Sequence, residues 1–318
     1  MTARRLISIV TPCYNEQDNV EELAKRIATV MAALPYDYEH IFIDNRSTDD
    51  TVSKICRLVD ADKHIRLIVN ARNFGHIRSP YHAMLETHGD ACVWIASDLQ
   101  DPPEMIPEFI KKWEEGFKSV MAVKPESEEN KLMFFIRRSY YNFLQRISEV
   151  PLVPNATGSG LFDRVVIDEL RKIDTPYPYF RGLISEIGFP IATVPFKQPR
   201  RTRGVTKNNF YTLYDIAMLG IVSHSKVPLR LMTMVGFFMS MLSLLVALGF
   251  LVAKLLFWNK FILGVAPILI GMFLLASVQM FFMGILGEYI GMIYTQTRKM
   301  PLVVEDRRVN FPDADKKI

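Results

Sequence analysis

Leu6 to Val10 is a short apolar run that stops at Thr11-Pro12, and Val20 to Leu34 then carries Leu23, Ile27, Val30 and Leu34 at helical spacing. The chain therefore opens with a strand and a helix. Glu39–Ile43, Ile65–Val69 and Ala91–Ala96 repeat the strand pattern, while Thr51–Leu58 and His76–Thr87 repeat the helical one. Strands alternating with helices predict a mainly parallel sheet covered on both faces. Ligands of such sheets bind beyond the carboxyl ends of the strands.

The C-terminal third has a different pattern. Residues 231–253 and 261–287 carry no charge, and each is long enough to cross a hydrocarbon core of about 30 Å as a helix. Soluble helices rarely stay apolar all round for that length. Asn259 and Lys260, with Lys254 and Trp258 nearby, mark a short connection, which makes a hairpin with both ends on one side. Lys226 and Arg230 before the first span, with Arg298 and Lys299 after the second, favour cytoplasmic ends. Glu288 falls just past the uncharged core of the second span. The spacing of Gly284, Gly287 and Gly291 permits close helix approach, between copies or within the hairpin.

Ahead of the hairpin, Arg200, Arg201, Arg203 and Lys207 lead into Phe210–Val222, where Phe210, Leu213, Tyr214, Ala217 and Ile221 mark an apolar face. That pattern predicts an interfacial helix with a basic lead-in suited to anionic headgroups or a lipid phosphate. The expected division is a catalytic domain at 1–205, a juxtamembrane segment at 206–230, a transmembrane hairpin at 231–290 and a cytoplasmic tail at 291–318. Leu302-Val303-Val304 offers a short strand within that tail.

Composition narrows the class. The chain has 318 residues, is 49% hydrophobic and carries a formal charge of +4. Without an aromatic-interleaved basic stripe, this slight charge fits a membrane surface or a phosphorylated ligand rather than nucleic acid. Arg4 and Arg5 lead only into Leu6–Val10, too short for a signal peptide, so the N-terminal part is expected in the cytoplasm. Cys13, Cys56 and Cys92 are widely spaced and form no CxxC pair, which argues against a disulfide frame or structural zinc.

Candidate chemistry gathers after the strands. Strand one is followed by Pro12, Tyr14, Asn15 and Glu16, strand two by Asp44, Asn45 and Arg46, strand three by Arg72 and Asn73, and strand four by Asp98 and Gln100. Asp44 suits ribose or base donors, and Tyr14 suits a flat base. Asp98 and Gln100 supply hard oxygens of the kind magnesium or manganese takes while bridging to substrate phosphates. Asp101 is expected to cap a helix that starts at Pro102-Pro103, with Glu104 completing a capping box.

These segments together resemble the family 2 glycosyltransferases with the GT-A fold, and within them the polyprenyl-phosphate sugar transferases, including bactoprenol glucosyltransferases and dolichol-phosphate mannose synthases. The resemblance rests on Thr11-Pro12-Cys13-Tyr14-Asn15-Glu16, Asp44-Asn45-Arg46-Ser47-Thr48-Asp49, Arg72-Asn73-Phe74-Gly75 and Asp98-Leu99-Gln100-Asp101-Pro102-Pro103-Glu104. It extends to Tyr179-Phe180-Arg181-Gly182-Leu183-Ile184 and Ser225-Lys226-Val227-Pro228-Leu229-Arg230, followed by the two spans. It implies an α/β GT-A, Rossmann-like domain followed by an interfacial helix and two transmembrane helices.

The activity implied is inverting transfer of a sugar, with glucose expected, from a UDP-sugar to undecaprenyl phosphate at the cytoplasmic face of the cell's inner membrane. Pro12, Tyr14, Glu16, Asp44 and Asp98 would hold the nucleotide, and Asp98 with Gln100 would ligate Mg2+ or Mn2+. Arg201 and Lys207 match an Arg-X-X-Gly-X-Ser-Lys pattern, with Thr206 in the serine position, and are assigned to phosphate binding. Arg137 and Arg138, at the start of a helix expected to reach Ile147, are further phosphate candidates. Homo-oligomer formation is a further expectation.

Two departures stand out. Ala96 occupies the position where the family usually shows the first Asp of an Asp-X-Asp motif. Thr157-Gly158-Ser159-Gly160 stands where related enzymes often have an acidic residue before Leu161-Phe162-Asp163-Arg164. The acceptor phosphate is already ionised near neutral pH, so a strong base is not required. Glu186 is the first catalytic candidate and Asp163 the second, with an ion pair to Arg164 or a helix end as the alternative use of Asp163. The competing reading is a non-catalytic nucleotide-sugar or lipid-binding membrane protein, or the same reaction with mannose or an amino sugar.

Overall fold

The computed structural model describes residues 4–124, 147–148, 151–197, 218–222, 225–256, 265–298 and 300–312. Its first part alternates β1 (Leu6–Cys13), α1 (Val20–Ala32), β2 (Asp37–Asp44), α2 (Thr51–Ala61), β3 (Ile65–Asn70), α3 (Gly75–Leu85) and β4 (Ala91–Trp94). A single turn at Pro103–Met105 leads to α4 (Ile106–Glu114) and β5 (Ser119–Val123). Then follow β6 (Ala156–Asp163), α5 (Arg164–Lys172), α6 (Phe180–Ile187) and β7 (Ile191–Pro195). The predicted alternation holds through the first four strands.

The sheet has eight strands in the order β7-β5-β6-β4-β1-β2-β3-β8, where β8 is Glu305–Val309 near the end of the chain. β1 pairs in parallel with β2 and β4, β2 with β3, and β5 with β7. β6 runs antiparallel to β4 and β5, and β8 runs antiparallel to β3. Both faces are covered, as a mainly parallel sheet requires. Ile7, Ile9 and Phe42 pack under Leu23 and Ile27 of α1, Ile55 of α2 and Phe109 of α4. On the opposite face Val10, Ile41 and Phe162 pack under Tyr81 of α3, Leu170 of α5 and Ile184 of α6.

Register fixes which residues reach the ligand-binding edge. Cys13 lies opposite Asp44, Asp44 opposite Val69 and Val10 opposite Trp94, so the carboxyl ends of β1 to β4 share one edge. β6 pairs Gly160 with Trp94 but Asp163 with Ala91. Its beginning therefore joins that edge, and Asp163 lies at the opposite one.

Two long helices complete the chain, α7 (Val227–Leu256) and α8 (Val265–Thr297). Each contains a stretch long and apolar enough to cross a membrane, and large side chains such as Phe237, Leu242, Phe273 and Phe281 face outward. α7 overruns its expected uncharged span at both ends, and α8 runs past Gly287 to Thr297 with Glu288 inside it. A Cβ built at Gly284, Gly287 or Gly291 would meet nothing within 4 Å, so these glycines serve no close packing against the described part of α7.

The tail differs from expectation. Leu302–Val304 is not the strand; Ala71 N–H donates to the Val304 carbonyl at 2.8 Å, and pairing with β3 starts only at Glu305. Arg308, with 3% of its side chain exposed, reaches Glu86 at 2.8 Å and Glu305 at 2.5 Å. The charged tail is thus a clamp that returns α8 to the sheet.

Candidate functional site

Three loops meet beyond β1, β2 and β3, and side chains knit them together. Asn15 N–H donates to Ser47 Oγ at 2.8 Å, Asn15 Oδ1 accepts from Thr48 N–H at 2.8 Å, and Glu16 N–H donates to Thr51 Oγ1 at 2.9 Å. Asn45 Oδ1 accepts from Phe74 N–H at 2.8 Å and from Asn70 Nδ2 at 3.1 Å, while Asn45 Nδ2 donates to Asn73 Oδ1 at 2.8 Å. Asn15, Arg46 and Leu99 adopt positive φ values of 56°, 65° and 58°. Non-glycine residues rarely do so, and here the three turns beyond β1, β2 and β4 each use one.

Asp44 ends β2 and is fully buried. Its Oδ2 accepts from Ser47 N–H at 2.9 Å, and its Oδ1 accepts from the Ser47 hydroxyl. Burial raises its carboxyl above the usual range despite those bonds. Pro12 near the end of the neighbouring β1, and Tyr14 and Glu16 in the loop after it, are half-buried. Glu16 Oε2 accepts from Asn19 Nδ2 at 2.6 Å, which sets the entry to α1.

The acidic turn follows β4. Asp98 and Gln100 are half-buried, and Gln100 N–H donates to Asp98 Oδ1 at 3.1 Å. Asp101 does not cap a helix, and the predicted capping box is absent. Its Oδ2 instead accepts from Ser159 Oγ at 2.5 Å, and Glu104 turns outward to Arg26 at 2.5 Å. Pro102 holds the N-cap position with no side-chain bond. Asp101 is 6% exposed, its Oδ1 has no hydrogen-bond partner, and burial pushes its carboxyl up to about 6.

Among the described residues no three His, Cys, Asp or Glu side chains converge on a point that would hold a metal ion. The oxygens of Asp98 and Gln100 remain a chemically suitable pair, because Mg2+ is commonly held by one or two protein ligands and completes its shell with substrate phosphates and water. The donor set fits a hard divalent ion bound together with a diphosphate.

The remaining candidates separate. Asp163 Oδ2 accepts from Trp113 Nε1 at 2.7 Å and from Lys118 Nζ at 2.9 Å, and its Oδ1 caps α5 through Val165 N–H at 3.0 Å. With both oxygens engaged on the far edge of the sheet, it is a structural cap, which corrects its assignment as a second catalytic candidate. Glu186 is exposed on α6 and lines a cavity of about 330 Å³ with Tyr177, Leu183, Met292 and Gln296, against the second long helix. Arg137, Arg138, Arg201, Lys207 and most of the expected interfacial helix lie outside the described residues.

Gly158, in the segment where an acid was expected before Asp163, leaves little room for a side chain. Gly158 has φ +105°, and a Cβ there would lie 2.9 Å from Cζ3 of Trp94. Sequence reading did not find the pairing of Asp101 with Ser159, although a serine flanked by glycines at the ligand edge was the available sign.

The sequence pattern of Glycosyl transferase family 2 matches residues 8–171. A bactoprenol glucosyl transferase of Shigella phage SfX is 31% identical over 296 residues, covering 93% of this chain and 97% of the relative. A putative glycosyltransferase, CsbB, of Bacillus subtilis (strain 168) is 32% identical over 310 residues, covering 98% of this chain and 94% of the relative. Among solved structures, glucosyl-3-phosphoglycerate synthase from Mycobacterium tuberculosis in complex with Mn2+, uridine diphosphate and phosphoglyceric acid is similar over 69% of this chain and 76% of that chain. Its identity is 21% and its TM-score 0.49.

Proposed function

We propose that this chain, which belongs to glycosyl transferase family 2 and is a glycosyltransferase, moves glucose from a UDP-sugar to undecaprenyl phosphate at the cytoplasmic face of a cell membrane. One observation carries the reading. The acidic turn at 98–101 and the Asp44 loop share one edge of a sheet whose C-terminal strand is reached through two helices long and apolar enough for a bilayer. A nucleotide-sugar pocket and a lipid anchor in one chain suit a soluble donor and a membrane-borne acceptor. The full-length similarity to bactoprenol glucosyl transferases supports the polyprenyl acceptor and glucose.

In this reading an oxygen of the acceptor phosphate donates a lone pair to the anomeric carbon from the face opposite the leaving group. The bond from that carbon to the diphosphate breaks, and its electron pair leaves with UDP. The sugar is inverted and no proton has to be removed, so positioning and charge compensation supply the acceleration. Pro12, Tyr14 and Glu16 border the nucleotide, with Asp44 shaping the same pocket through its hold on Ser47. Asp98 and Gln100 would hold Mg2+ or Mn2+, which neutralises charge on the diphosphate when bound. Arg137, Arg138, Arg201 and Lys207 are assigned to acceptor or diphosphate phosphates, and Glu186 borders the acceptor's approach along α8.

The test is release of the nucleoside diphosphate, UDP or GDP, by the purified protein, with UDP-glucose, UDP-galactose, GDP-mannose and UDP-N-acetylglucosamine in turn, with and without undecaprenyl phosphate and Mn2+. Release that requires the lipid and is fastest with UDP-glucose supports the proposal. Binding of nucleotide sugars without release in any mixture would favour a non-catalytic binding protein.

A further inference from the structure

Where α8 ends, the fold gathers three arginines from separate segments. Arg298 is the first residue after α8, Arg72 lies in the loop after β3, and Arg78 lies in the first turn of α3. Arg78 Nη2 donates to the Pro301 carbonyl, which ties α3 to the chain emerging from α8. The Arg72 guanidinium lies 4.0 Å from the Phe74 ring centroid and that of Arg78 lies 5.4 Å from it, so both lean on the same ring.

The protein groups that meet these arginines are backbone carbonyls and Tyr177. Among the described residues Arg72, Arg78 and Arg298 have no carboxylate partner. Arg78 Nε is buried with no hydrogen-bond partner. Burial disfavours the Arg78 charge, and the nearby Arg72 and Arg298 oppose it further, against an opposite contribution from Tyr177. Like charges held together around an unused buried N–H call for an anion. A guanidinium fork matches the oxygens of phosphate better than a single-point donor does.

We infer that Arg72, Arg78 and Arg298 form a phosphate-binding site at the membrane-proximal end of α8, with the phosphate of an anionic phospholipid as its ligand. Position argues for the lipid. Arg298 directly follows the apolar stretch that ends at Thr297, the depth at which juxtamembrane arginines meet headgroups. The site is separate from Arg137, Arg138, Arg201 and Lys207. It rests on the reading of α7 and α8 as membrane helices and not on the transfer reaction.

Full-length protein in a neutral detergent is titrated calorimetrically with short-chain phosphatidylglycerol, with short-chain phosphatidylcholine, with inorganic phosphate and with UDP. The parent is compared with Arg298→Gln, at an exposed position where folding is not at stake, and with Arg78→Gln/Arg298→Gln. Saturable phosphatidylglycerol binding is expected to weaken about fivefold per arginine removed, with UDP affinity unchanged. Inorganic phosphate separates the sources: loss for the lipid alone identifies a headgroup site, and parallel loss for both identifies the phosphate group whatever carries it. Equal phosphatidylglycerol affinity in the parent and both variants overturns the site, as does equal affinity of the parent for both lipids. No donor or turnover enters the measurement, so its failure leaves the proposed transfer untouched.

Discussion

Ser159 Oγ donates to Asp101 Oδ2 at 2.5 Å and thereby ties the acidic turn to β6 across the carboxyl edge of the sheet. The other carboxylate oxygen of Asp101 is buried without a partner, a costly arrangement outside a functional site. Burial raises this carboxyl from 3.8 to about 6, so the folded protein holds a proton that the unfolded chain releases at lower pH. The associated stability is fully present below about pH 4 and is lost as pH rises through about 6.

Asp101→Asn removes that dependence. Relative to the parent, the variant should gain stability between pH 4 and pH 7, by an amount on the order of 2 kcal/mol. Denaturant unfolding at several pH values measures it. A parent-to-variant difference that stays constant across this range would show that Asp101 does not titrate there.

Arg308→Ala strips the tail clamp of its central charge and leaves Glu305 and Glu86 facing each other. Removing one member of a buried ion pair costs about 3 kcal/mol. Burial acts against ionisation of Glu305, but hydrogen bonds from Arg308 and His82 outweigh it and hold the carboxyl at about 2. The stabilisation it supplies is present above about pH 4.5 and is lost as pH falls toward 2. The variant should therefore unfold more easily at pH 7 and show a flatter acid limb; identical melting profiles would remove the clamp from the stability account.

Gly158→Asp does not restore an acid to β6. Its Cβ would lie 2.9 Å from Trp94, and the backbone there has φ +105°. The expected result is a loss on the order of 2 kcal/mol in stability with no gain in turnover. Melting temperature and UDP release read the two effects separately, and a stable, faster variant would contradict the steric explanation.

Ala96→Asp tests the acidic turn from the other side. A carboxylate two residues before Asp98 adds a hard oxygen next to a two-residue donor set, and Mn2+ affinity measured with UDP present should rise about tenfold. Unchanged affinity would mean that position 96 does not face the ion.

Much of the sheet was readable because its strands are buried on both faces and bounded by polar turns, as in Leu6–Cys13 and Asp37–Asp44. None of the four strands after β4 was predicted at its place. Ala156–Asp163 mixes small polar residues and two glycines with apolar ones, and Glu305–Val309 is largely charged, because its outer edge is uncovered while pairing to β3 supplies its order. Local rules also misled at Asp101 and Glu104. The capping-box spacing was present, but a partner on β6 and one on α1 took both side chains. Of the site, the loop positions followed from topology alone. The arginine group at the end of α8 depends on contacts between residues far apart in sequence, such as Arg78 with Pro301.

The most direct measurement of the central claim is mass spectrometry of the lipid formed when purified protein meets undecaprenyl phosphate, Mn2+ and an equimolar mixture of UDP-glucose labelled with carbon-13 in its sugar, unlabelled UDP-galactose, GDP-mannose and UDP-N-acetylglucosamine. The account predicts a single dominant product, undecaprenyl phosphate carrying one hexose that originates from UDP-glucose, and its loss in Asp98→Asn. Nucleotide-sugar binding with no glycosylated lipid from any donor would contradict it.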